Sequence, residues 1–150
     1  VIYSQGWLLP QDHEKAVRWY RRAAEQGEPQ AQFNLGVACI KGLGRPQDYD
    51  EAIVWYQRAA RQGYSRAQVN LGTMYSAGAG VPQNKLEAYK WYSLAIIRLP
   101  LDHAPGDQDY VSMARRLRSE LASTMTAGEI KEAERLAEDW HPVLELVGRK

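Results

Sequence analysis

Residues 52–63 read Ala-Ile-Val-Trp-Tyr-Gln-Arg-Ala-Ala-Arg-Gln-Gly, and the same frame stands at 16–27 as Ala-Val-Arg-Trp-Tyr-Arg-Arg-Ala-Ala-Glu-Gln-Gly. It returns at 88–99 as Ala-Tyr-Lys-Trp-Tyr-Ser-Leu-Ala-Ile-Ile-Arg-Leu, with Leu99 where the earlier copies close on glycine. Trp19, Trp55 and Trp91 are therefore spaced by 36 residues (55 − 19 = 36; 91 − 55 = 36). Outward from this frame, Pro10-Gln11, Pro46-Gln47 and Pro82-Gln83 keep the same register, as do Gly6, Gly42 and Gly78. A fixed period of this size marks an array of small units that bury their apolar faces against one another.

Each unit reads as two helices, with units at 28–63 and 64–99 preceded by a partial one at 1–27. The spacing predicts a first helix over Pro29–Lys41, with Ala31, Leu35 and Cys39 on one face. Pro29 suits the first helical position, where a missing N–H costs nothing, and Ser65 is expected to cap the matching helix. Gly42-Leu43-Gly44 and Gly78-Ala79-Gly80 then turn the chain. Asp48 with Glu51, and Asn84 with Glu87, read as reciprocal capping boxes opening the second helix. Ala52, Trp55, Tyr56, Ala59 and Ala60 form its apolar face, with the tryptophan expected to fill the gap between units.

After Leu99-Pro100 the pattern changes. A loop at 100–106 leads into a helix marked by Tyr110, Ala114, Leu117 and Leu121. A second helix follows, marked by Ile130, Ala133, Leu136, Ala137 and Trp140, capped by Thr126 with Glu129 and stopped by Pro142. Arg115, Arg116, Arg118, Lys131, Glu132 and Arg135 would shield the end of the stack, so 100–142 is expected to be a C-terminal capping helix pair, with 143–150 a tail. The fold class is all-α: an α/α superhelix of 36-residue helix–turn–helix repeats with a helical cap.

Composition fits a folded array: 45% hydrophobic, 25% charged and a net charge of +1. That balance lacks the basic excess of a nucleic-acid binder, and no apolar run is long enough to span a membrane. Cys39 is the only cysteine, which excludes an internal disulfide and a thiolate zinc cluster and reads as a buried small hydrophobe. Val1-Ile2-Tyr3 align with Val37-Ala38-Cys39, the last turn of a first helix, so the chain is expected to begin inside a longer protein. Cytosol and periplasm fit equally well.

The runs Ala31-Gln32-x-Asn34-Leu35-Gly36 and Ala67-Gln68-x-Asn70-Leu71-Gly72, followed by Gly42-x-Gly44, Pro46-Gln47 and Ala52-x-x-Trp55-Tyr56-x-x-Ala59-Ala60-x-x-Gly63, resemble Sel1-like repeats. That family is related to the tetratricopeptide repeats. The resemblance covers about residues 1–99, and 125–140 resembles the terminal helix that follows such repeats in bacterial proteins. Departures are Leu8 for a turn glycine, Cys39 for tyrosine and Leu99 for the closing glycine. The resemblance implies a right-handed superhelix that holds other proteins, as adaptors do in bacterial signalling, envelope assembly and host contact.

No catalytic grouping emerges. His13, following an expected Asp12 cap, His103 and His141 occur singly, without metal-ligand spacing, so neither a metal nor a cofactor is expected. Gly42-x-Gly44 lacks the third glycine and preceding strand of a dinucleotide fingerprint. Some cysteine-rich relatives have been linked to β-lactam chemistry, which usually calls for Ser-x-x-Lys, and no serine here has lysine three residues on. The chain reads as a non-enzyme.

A partner is expected on the first helices, which line the concave side of such arrays. Asn34 shares a helix face with Gln30, Val37 and Lys41, and Asn70 repeats it 36 residues on, with Arg66 and Thr73. Side-chain amides donate and accept, so these two would meet a peptide backbone, while Lys41 and Arg66 would favour an acidic segment. The alternative is that each asparagine ties one repeat to the next. The functional reading is a protein- or peptide-binding scaffold. Other readings are an accessory subunit positioning a cell-envelope enzyme and, less favoured, an RNA-binding helical repeat; self-association through the N-terminal repeat face is a further expectation.

Overall fold

The computed structural model describes residues 10–98 and 106–145. Among these are seven helices and no strand: α1 (Pro10–Glu25), α2 (Pro29–Lys41), α3 (Tyr49–Arg61), α4 (Ser65–Ala77), α5 (Lys85–Arg98), α6 (Asp107–Ala122) and α7 (Ala127–Glu138). Helix α1 is the second helix of one unit, α2–α3 form the next, and α4–α5 the one after. Each packs on its successor, which is the architecture of an α solenoid. The turn at Gly6 and Leu8, the departure at Leu99, the start of the chain and His103 lie outside the described residues.

The apolar stripe of α2 goes inward as its spacing requires: Ala31, Leu35 and Cys39 are buried, as are Ala67 and Leu71 of α4. Gly36 and Gly72 sit mid-helix for a steric reason. A Cβ on Gly36 would stand 2.6 Å from Tyr56 Cε1, and one on Gly72 would stand 2.8 Å from Tyr92 Cε1. The bare backbone lets the tyrosine ring of the second helix lie against the first, which fixes how closely the two helices of a unit approach. Cys39 is a free, fully buried thiol, pushed up to about 11 mainly by burial.

The helix ends follow the glycines. Gly42 and Gly78 take φ of 68° and 71° and cap α2 and α4 in the left-handed region. Three details differ from the expectation. Ser65 is not a cap: Tyr64 holds that position and Ser65 is the first helical residue. Asp12 lies inside the first turn of α1, which opens at Pro10, so His13 follows no cap. Asp48 and Asn84 accept from the backbone N–H of Glu51 and Glu87 at 3.0 and 3.1 Å. Neither glutamate returns the bond; Glu51 turns to Arg45 and Arg21, and Glu87 to Lys90. Among the described residues the reciprocal box forms at Thr126 and Glu129 alone, where no cation pairs with the glutamate.

The tryptophans also divide. Trp55 and Trp91 are buried, but Trp19 is 69% exposed. Trp91 meets the edge of Trp140 at 5.8 Å, and Trp55 lies under Arg58 and donates Nε1 to Glu51 Oε1 at 3.2 Å. Trp19 has only Arg22 near its ring among the described residues, 5.8 Å from the centre, and it fills no gap between units.

Beyond the repeats, α6 packs on α4 and α5, and α7 lies along α5 rather than back along α6. Val69, Ala88, Tyr92, Ala114, Leu121 and Ala133 form the core they share. Arg118, expected outside, turns in to donate to Ser93 Oγ at 3.2 Å, while Arg115 and Arg116 stay exposed.

Candidate functional site

The outer face of the first helices carries the residues singled out above. On α2, Gln30 and Lys41 are exposed, and Asn34 and Val37 are half-buried. On α4, Asn70 Nδ2 donates to the Tyr56 hydroxyl at 3.4 Å, a bond that crosses from one unit to the next. Thr73 Oγ1 donates to the Val69 carbonyl at 3.0 Å and shares a 3.0 Å hydrogen bond with the Tyr92 hydroxyl. Asn70 and Thr73 together line a recess of about 240 Å³ with Ile40, Tyr56, Met74 and Ala77. Arg66 does not stand over this recess as a free cation; its guanidinium lies 5.0 Å from the Tyr110 ring centre on α6.

Burial pushes the Tyr56 phenol up to about 12, so near neutral pH it remains a neutral hydrogen-bonding group. Asn70 and Thr73 stand at the wall of the recess beside the Tyr56 hydroxyl, and the surface of the recess is almost entirely apolar. Among the described residues no three His, Cys, Asp or Glu side chains gather as metal ligands, and no helix is long and apolar enough to cross a membrane.

A second polar site was not anticipated. Gln32 and Gln68, 36 residues apart, are fully buried. Each donates Nε2 to a carbonyl of the preceding helix: Gln32 to Ala24 at 3.1 Å and Gln68 to Ala60 at 3.2 Å. Gln32 also donates to Glu145 Oε2 at 2.9 Å and accepts from Gln62 Nε2 at 2.9 Å. Gln68 Oε1 is buried with no partner among the described residues. The signal was present in the sequence as a glutamine repeating directly after an inward-facing alanine.

Glu145 reaches Gln32 because the chain turns back after α7. Val143 N–H donates to the Arg61 carbonyl at 2.7 Å, and Glu145 N–H to Gln62 Oε1 at 3.1 Å. Arg58 Nε and Nη2 donate to the two Glu145 carboxylate oxygens at 2.8 and 2.7 Å. Those bonds, Arg58 first and then Gln32, hold the Glu145 carboxyl below the usual carboxylate range. Segment 142–145 thus lies across the turns at Gly63 and Gly27 as an extended peptide bound by its own repeats.

A family model described as Sel1 repeat matches the chain three times, over residues 1–28, 29–64 and 65–97. The chain belongs to the Sel1-repeat family. Solved structures similar to it include two Sel1-type proteins. One is a protective antigen present in uropathogenic Escherichia coli strains, displaying an SLR fold, with 34% identity and a TM-score of 0.75 over 88% of this chain and 26% of that one. The other is a Sel1 repeat protein from Oxalobacter formigenes, with 30% identity and a TM-score of 0.56 over 84% of this chain and 54% of that one. The chain thus spans about a quarter and about half of these two bacterial proteins. No curated protein matches significantly. Sel1-repeat proteins generally mediate protein–protein interactions on a fold that is generally a non-catalytic scaffold.

Proposed function

We propose that this Sel1-repeat chain is a non-catalytic scaffold that takes an extended peptide of a partner protein along its first helices. The observation that carries this reading is the recess of about 240 Å³ where Asn70 and Thr73 meet Tyr56 and Met74. An apolar side chain of the partner enters the recess while its backbone meets Asn70. The Asn70 carbonyl oxygen accepts no hydrogen bond from the described residues, so it is available to a partner's N–H. Asn34 and Val37 offer the corresponding step one repeat earlier, with Gln30 at the start and Lys41 at the end of α2. Lys41 favours a segment carrying a carboxylate, and α6 with α7 closes the stack as its cap.

Affinity capture from the source lysate, run beside Asn34→Ala/Asn70→Ala, tests this. A partner retained by the native chain and lost by a variant with unchanged helical circular dichroism supports the reading. A variant that loses its fold shows instead that the asparagines hold repeat to repeat. Retention of the same partner by a folded variant rejects this face.

A further inference from the structure

On α1, Trp19 and Arg22 repeat Trp55 and Arg58 of α3 at 36 residues (55 − 19 = 36; 58 − 22 = 36). The geometry repeats as well: Arg22 lies 5.8 Å from the centre of the Trp19 ring, and Arg58 lies 4.8 Å from that of Trp55. At the second position the arginine holds the Glu145 carboxylate through two parallel hydrogen bonds. At the first, Trp19 is 69% exposed, and with Lys15, Arg18 and Arg22 it lines a shallow pocket of about 210 Å³.

One substitution within the repeat changes the charge of this site. Glu51 accepts from Trp55 Nε1 and pairs with Arg45 and Arg21, and Glu87 occupies the matching position one unit on. The corresponding residue before Trp19 is Lys15. The site therefore presents three exposed cations around an open indole, and none of the three has an ion pair among the described residues. Guanidinium bound edge-on to a carboxylate while stacked on an aromatic face is a favourable arrangement, and it is already realised once in this chain.

We propose that Lys15, Arg18, Trp19 and Arg22 form a docking site for an acidic, extended segment of a partner protein, with Arg22 taking a carboxylate as Arg58 takes that of Glu145. Residues 146–150, which follow Glu145, contain no acidic side chain. A protein carboxylate fits better than a nucleic-acid backbone. A single open ring gives no run of stacking platforms, and the near-neutral chain offers no long basic track. This surface is on a second helix, separate from the recess of α4, and does not depend on that recess binding anything.

The test is an anisotropy titration of the intact chain with a labelled, end-capped peptide of residues 140–146, which carries one carboxylate at its Glu145 position. Binding is expected to weaken about tenfold or more for Arg22→Gln, Trp19→Ala and Lys15→Glu, and for a peptide with Gln at that position. Circular dichroism should stay unchanged, since all three side chains are exposed, and Asn34→Ala/Asn70→Ala should bind the peptide as the native chain does. Lack of binding, equal binding by Arg22→Gln, or indifference to Glu against Gln in the peptide would overturn the proposal. So would an Arg22-dependent affinity for a thymidine 15-mer that exceeds the affinity for the peptide.

Discussion

Arg58 and Glu145, 87 residues apart in sequence, face each other as a two-bond ion pair, and the backbone of Glu145 passes directly over Gly27. A Cβ built on Gly27 would come within 2.8 Å of Glu145 Cβ. One built on Gly63 would meet only Pro142 Cβ, at 3.9 Å. Both glycines have φ of +95°, so an alanine at either is strained in the same way.

Gly27→Ala should therefore cost more than Gly63→Ala. The shared backbone strain is about 1 kcal/mol, and at Gly27 the return segment must also move. A second change, Glu145→Gly, removes the colliding Cβ along with the carboxylate. In that background the two alanine substitutions should cost the same within about 0.5 kcal/mol. Urea denaturation of the four variants measures this; a persistent difference would show that the tail is not what makes Gly27 special.

Glu51 should dominate part of the acid limb of stability. Its carboxyl is lowered to about 2 by Arg45 above all, with Trp55 and Arg21 adding hydrogen bonds. A folded pKa below the unfolded one stabilises the protein above the unfolded value, and that contribution is lost as pH falls through the folded value. The contribution is therefore full above about pH 5 and declines from about pH 4.5 towards pH 2. After discounting for partial exposure it is on the order of 2 kcal/mol. Glu51→Gln should be less stable at pH 7 and show a flatter loss of stability between those limits. Parallel acid profiles for the two proteins would reject the assignment.

The repeated glutamines should respond unequally to the same substitution. Gln32→Leu removes bonds to Ala24, Glu145 and Gln62, leaving buried polar groups of the neighbours unpaired, and should cost about 2–3 kcal/mol. Gln68→Leu gives up one bond to Ala60 and also removes an oxygen with no partner among the described residues, so it should cost about 1 kcal/mol or less. Thermal melts of the two variants provide the comparison, and equal losses would show that the network around Gln32 is not cooperative.

Much of this architecture was legible because the 36-residue register constrains each unit by its copies. The bounds of α2 followed from Pro29, the inward stripe and Gly42. Ser65 follows the register rather than its capping propensity: Gly63-Tyr64-Ser65 aligns with Gly27-Glu28-Pro29, so Ser65 takes the first helical position as Pro29 does. Trp19 misled for a different reason. Identical residues in identical local frames differ in burial when a covering comes from outside the repeat, as Trp140 does for Trp91. Of the recess, Asn70 and Thr73 were found from helical spacing, whereas Ile40 and Met74 could not be assigned to it without the packing of one unit on the next. The contacts of Glu145 have no periodic signature, since they join a unique segment to a repeated one.

An open array of repeats can fray from either end, because each unit depends only on its neighbours. Here residue 145 is fastened between Gln32 and Arg58, closing a loop of about a hundred residues. Such a contact has high sequence separation, so on the folding pathway it forms late, after the helices it joins are in place. Once formed, it ties the last helix to the first described turn. Melting of α2 to α7 then gains the character of a single cooperative transition.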